Sequence, residues 1–99
     1  MEVELDAFSG RPNPRWETTS PLQKKLDSLA EKTNPAPEPG LGYRGFIIHH
    51  GASKVRVFSG RVTIEQSGKS QTYRDTAGLE AELAKQASEH GHTGIVPDL

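Results

Sequence analysis

Lys54-Val55-Arg56-Val57-Phe58-Ser59-Gly60-Arg61-Val62-Thr63-Ile64-Glu65-Gln66 is the stretch whose reading decides the fold. Apolar and polar residues alternate along it, the period of a half-buried strand. The phase changes midway: Val55 and Val57 sit at odd positions, Val62 and Ile64 at even ones. One strand keeps a single face buried across such a shift only if an extra residue is inserted. Ser59-Gly60 supplies the backbone freedom for that bulge, so the run reads as one long strand over 54–66. A hairpin at Ser67-Gly68-Lys69 then leads into a strand over 70–74.

The tetrapeptide Phe58-Ser59-Gly60-Arg61 also occurs as Phe8-Ser9-Gly10-Arg11, closing the alternating run of residues 2–8. The flanking segments do not repeat, so both copies read as strand-end bends that turn a Phe inward and an Arg outward. The first opens an eleven-residue loop, 9–19, stiffened by Pro12 and Pro14. Ser20-Pro21-Leu22-Gln23 has the form of a capping box, and Leu22, Leu26, Leu29 and Ala30 give a helix stripe ending near Lys32. Pro35, Pro37 and Pro39 make a stiff extended connector. A strand over 43–50 follows, turned by Gly51-Ala52-Ser53 into the run already described. Asp75 or Thr76 caps a last helix with Leu79, Leu83 and Ala87 on its apolar face, stopped at Gly91. Ile95 and Val96 can return to the core. The order β-α-β-β-β-α predicts an α+β, two-layer single domain spanning 1–99: a curved antiparallel four-stranded sheet with two helices on one face.

At 99 residues without cysteine, the chain has one modest core and neither disulfides nor thiolate chemistry. Hydrophobic content is 32%, and no apolar run reaches membrane-spanning length. The acidic start lacks the basic region of a signal peptide, so a cytoplasmic protein with no membrane partner is the expectation. Charge is segregated: Glu2, Glu4 and Asp6 lie in the first strand, whereas Arg44, Lys54, Arg56, Arg61, Lys69 and Arg74 oppose only Glu65 over 43–74. Opposite charges across strands attract, which places the first strand near the basic ones.

The run Phe8-Ser9-Gly10-Arg11-Pro12-Asn13-Pro14 with Trp16, followed by Gly40-Leu41-Gly42-Tyr43-Arg44-Gly45-Phe46, resembles a family of small uncharacterised, mainly bacterial proteins. Those proteins share an F-S-G-R-P-N-P segment with a nearby Trp and a later G-L-G-Y-R-G-F segment. The resemblance covers the first half of the chain and implies no particular activity.

The strongest candidate site is the loop over 9–17. Its prolines restrict Arg11 and Asn13, so it loses little entropy on binding. Arg11 and Arg15 offer guanidinium forks to a carboxylate or phosphate, Asn13 adds an amide, and Trp16, Tyr43 and Arg44 extend the surface. The structural alternative makes Phe8 and Trp16 core anchors and pairs Arg11 within its own domain. The histidines form two pairs, His49-His50 and His90-Gly91-His92, that would have to meet in space to hold copper, nickel or zinc. Adjacent strand residues point to opposite faces, which weighs against His49 and His50 sharing an ion.

Residues 20–90 also follow the α-β-β-β-α order of double-stranded RNA-binding domains. The last helix, however, starts with acidic Asp75 and Glu80 where a phosphate-binding helix needs bases. Ser59, His49 and Asp75 form a triad only on paper, since no nucleophile elbow frames them. The expectation is a non-enzymatic binding module without a cofactor, monomeric or homodimeric. It presents the rigid loop to an acidic peptide, a protein partner or a small anion. A histidine-based metal binder is the alternative, and RNA binding a lesser one.

Overall fold

The computed structural model describes residues 1–7, 12–18, 22–35, 37, 42–92 and 95–96. Six strands and two helices follow the chain: β1 (Glu2–Leu5), β2 (Arg15–Glu17), α1 (Leu22–Asp27), β3 (Phe46–His50), β4 (Ser53–Phe58), β5 (Arg61–Gln66), β6 (Lys69–Arg74) and α2 (Leu79–Glu89). They form an α+β domain around one sheet of order β2-β1-β3-β4-β5-β6, antiparallel at every pairing.

The sheet has six strands where the sequence predicts four, for two physical reasons. Ser59 and Gly60 are both left-handed, with φ of 55° and 73°. Two successive residues with positive φ make a tight hairpin turn whose twist matches its flanking strands. The run over 54–66 therefore folds back on itself instead of bulging. Val57 pairs with Val62 and Val55 with Ile64, so the odd residues of β4 share a face with the even residues of β5. Reversal explains the phase shift that a bulge would also have explained. The second added strand is β2, three residues after Pro14, which pairs Trp16 with Val3.

One sheet face carries Val3, Leu5, Trp16, Phe46, Ile48, Val55, Val57 and Val62, buried with Leu22 of α1 and Leu79, Leu83 and Ala87 of α2. Ile95 and Val96 pack on this core. The N-cap is Gly78 in a left-handed conformation, not Asp75 or Thr76 as expected, but the first backbone amides of α2, those of Leu79 and Glu80, donate to the Asp75 carboxylate at 2.7 and 2.8 Å. The α1 helix is shorter than its stripe predicts. Lys32 instead makes a bridge to Tyr73, and Thr33 and Arg74 donate to Thr72 and Glu31 carbonyls. This covers the otherwise open edge of β6. Beyond that edge, Pro35 and Pro37 lie over the opposite, outer sheet face beside Arg56 and Thr63. Ser20, Pro21 and the first Phe-Ser-Gly-Arg copy fall outside the described residues, as do most residues of the connector.

Candidate functional site

The outer face of the sheet displays the polar residues of each strand, and the pairing register decides which of them meet. Glu2, Glu4 and Asp6 lie on this face of β1 and its extension, flanked on one side by Arg15 and on the other by His49. Arg15 Nη1 donates to Glu2 at 3.0 Å and Nη2 to Glu4 Oε1 at 3.1 Å. His49 Nε2 lies 3.0 Å from the same Glu4 oxygen. A carboxylate can only accept there, so Nε2 carries the proton. Asp6 receives Arg44 Nη2 on Oδ1 and Arg56 Nη1 on Oδ2, both at 3.0 Å. Three carboxylates thus meet three guanidinium groups.

Asn13 ties the loop to this network. Its Nδ2 donates to Glu4 at 2.8 Å and to Asp6 at 3.3 Å, and its Oδ1 accepts the Ala7 amide. The Pro14 carbonyl accepts Leu5 N–H at 2.9 Å. Flanking prolines fix φ at two positions, and Asn13 between them supplies the polar contacts that hold the segment on β1. The result is a preorganised surface, not a free cation cluster. Arg15 remains about half exposed, at 53% of its side chain.

Burial alone would raise the Glu4 pKa. The hydrogen bonds from Asn13 and His49 and the charges of Arg15 and His49 outweigh it, so Glu4 lies below the usual carboxylate value of 4.5. A depressed carboxylate contributes stability that is full above 4.5 and is lost as pH falls toward the lower folded pKa. Glu4→Gln is therefore expected to cost about 2 kcal/mol at neutral pH. It should also flatten the decline of stability as pH falls below 4.5. Urea melts of both proteins at several pH values check this, and parallel acid limbs would contradict it.

Trp16 is turned away from this face, whereas Tyr43 lies at its end with its ring 5.8 Å from that of Phe58. Trp16 is 6% exposed, stacks against His90 and His92 at centroid distances of 5.3 and 5.9 Å, and donates Nε1–H to Gln86 at 3.0 Å. It anchors the segment from below. Tyr43 donates its hydroxyl to Glu80 at 2.6 Å, and burial together with Glu80 pushes its pKa well above the ordinary 10. Arg11 lies outside the described residues.

The histidine pairs stay apart. His49 is on the outer face with Glu4, His50 is at the turn into β4, and His90 and His92 lie against Trp16 on the core side. No cluster of three or more metal-ligating side chains occurs among the described residues. Ser59 occupies a hairpin turn and Asp75 accepts the first amides of α2. His49 pairs with Lys54 at the far end of β4, about 17 Å of strand from Ser59.

Sequence reasoning set Arg56 on the face of the acidic first strand without singling out Asp6 as its partner, and missed Glu80 as the acceptor of both Tyr43 and the Gly60 amide. The acidic first strand was the available signal for the former. An acidic residue at the start of a helix gives no such signal for the latter, because the dipole alone accounts for it.

No helix among the described residues is long and apolar enough to cross a membrane. No family model, curated protein or solved structure matches this chain. The class defined by fold and site is an α+β domain with a charged, loop-rimmed outer sheet face.

Proposed function

We propose that this chain is a non-enzymatic binding module that takes an anionic group on its outer sheet face. The partner is an acidic peptide, an acidic patch of another protein or a small anion. Asn13, Arg15 and Arg44 make the contact, with Arg11 beside them in sequence, while Trp16 holds the rim from the core side and Tyr43 at its end.

The observation that carries the reading is the fixed placement of the loop. Asn13 bridges Glu4 and Asp6, and Arg15, half exposed, is held by two carboxylates. A guanidinium fixed in this way has donors left over and little rotamer entropy to lose when an anion arrives. The neighbouring carboxylates limit the attraction, which favours a ligand that matches the geometry over any polyanion. Anisotropy of labelled hexaglutamate at low salt tests the reading. Affinity is expected to fall at least about tenfold in Arg11→Ala with Arg15→Ala, each lost charge-assisted contact contributing to that factor. Equal affinity in a folded double variant would refute it.

A further inference from the structure

On the same outer face, joined to the Asn13 network through Arg56 and Asp6, a cleft of ≈ 130 Å³ lies between Pro35 and Pro37 and the β4–β5 hairpin. Its walls are Pro35, Pro37 and Phe58, and its polar groups come from Arg56, Arg61, Thr63 and Glu65. The register explains how they converge. Arg56 pairs with Thr63 and Phe58 with Arg61, so four outward residues form a square that the prolines border.

Each polar group in that square is already oriented. Arg56 Nη1 donates to Asp6 and to the Arg44 carbonyl, Arg61 Nη1 to the Ser59 carbonyl at 3.1 Å, and Thr63 Oγ1 lies 2.9 Å from Thr72 Oγ1. The charge balance around Arg61 is unusual. Across the β5–β6 pairing it stands directly opposite Arg74, and like charges so placed repel. Arg74 is compensated by Glu31 at 2.8 Å. Arg61 has no carboxylate within ion-pair distance among the described residues.

We propose that this cleft binds a small organic monocarboxylate with a flat apolar body. The carboxylate sits on the Arg61 and Arg56 guanidinium groups with the Thr63 hydroxyl beside it, and the body lies between Phe58 and the two prolines. At ≈ 130 Å³ the cleft is smaller than the cavity of about 150 Å³ that encloses benzene, so a ring of that size lies partly in the cleft and partly in solvent. Glu65 extends the same row beyond Thr63 and sets specificity: it repels a second carboxylate at the far end of the ligand. The inference rests on the anion-binding reading of this face but uses different residues.

Benzoate is the probe, followed by amide and arginine side-chain NMR shifts of the whole chain. Saturable shifts are expected at Phe58, Arg61 and Thr63. Benzyl alcohol, which lacks the charge, and terephthalate, which carries a second one, should each bind more weakly. Arg61→Ala and Arg61→Gln should both weaken benzoate at least about tenfold, and two variants guard against one that folds poorly. Absence of saturable shifts, shifts that map elsewhere, or undiminished binding in both variants overturns the cleft. If benzoate fails while hexaglutamate still binds through Arg15, only the cleft falls. If both fail, the anion-binding reading falls with it.

Discussion

Gly45→Ala is expected to destabilise the domain by about 3 kcal/mol or more, a large part of the roughly 5–15 kcal/mol that holds such a fold together. Gly45 has φ +93°, where an L side chain is strained. A Cβ built there clashes with the Val57 carbonyl oxygen and lies 2.7 Å from Phe58 Cβ. Both obstacles belong to β4, one of them to its backbone, so they cannot rotate away. Gly45 is also where β1's extension joins β3: its carbonyl accepts Asp6 N–H at 2.9 Å, and Arg44 N–H donates to the Asp6 carbonyl at 2.7 Å. Shifting Gly45 moves Asp6, and with it the ion pairs to Arg44 and Arg56. Chemical denaturation checks the stability. A change below about 1 kcal/mol would show that β3 and β4 separate more easily than this packing implies.

Trp16→Ala should cost about 3–5 kcal/mol, as expected for deleting a large buried ring. The residue touches Phe46 edge-on at 6.4 Å, stacks with His90 and His92, and donates to Gln86 of α2. It therefore ties edge strand β2 to the last helix and to the chain beyond it. Trp16→Phe keeps most of the packing and loses the Nε1–H donor, with an expected cost of about 1 kcal/mol. Thermal unfolding followed by circular dichroism separates the two, since this is the chain's single tryptophan and its fluorescence disappears with it. Near-wild-type stability in Trp16→Ala would return the ring to the list of ligand contacts.

The apolar stripe of the last helix is legible because helical period acts locally. Leu79, Leu83 and Ala87 are buried, and the Asp75 carboxylate meets the amides that open α2. Ser59-Gly60 shows where legibility stops. The identical dipeptide Ser67-Gly68, followed by Lys69 and a new strand-like run, reads as a hairpin. Ser59-Gly60, inside a long alternation, satisfied a bulge and a reversal equally well. Only two successive left-handed residues distinguish them, and those depend on which strands pair. β2 was illegible because three residues after two prolines carry no periodic signal; its pairing to β1 depends on Asn13 and the Pro14 carbonyl. The charge segregation rightly placed the acidic strand among basic partners. It did not reveal that β3 stands between β1 and β4, with Arg56 reaching Asp6 past its start.

The central claim is that the anchored loop receives an anion on the outer sheet face. The most direct measurement is an amide and arginine Nε–Hε shift map during hexaglutamate titration at low salt, made on the native chain and on Arg11→Ala with Arg15→Ala. The account predicts saturable shifts at Asn13, Arg15 and Arg44 that vanish in the folded double variant. No saturable shift at these residues, or a map that survives the double substitution unchanged, would contradict it.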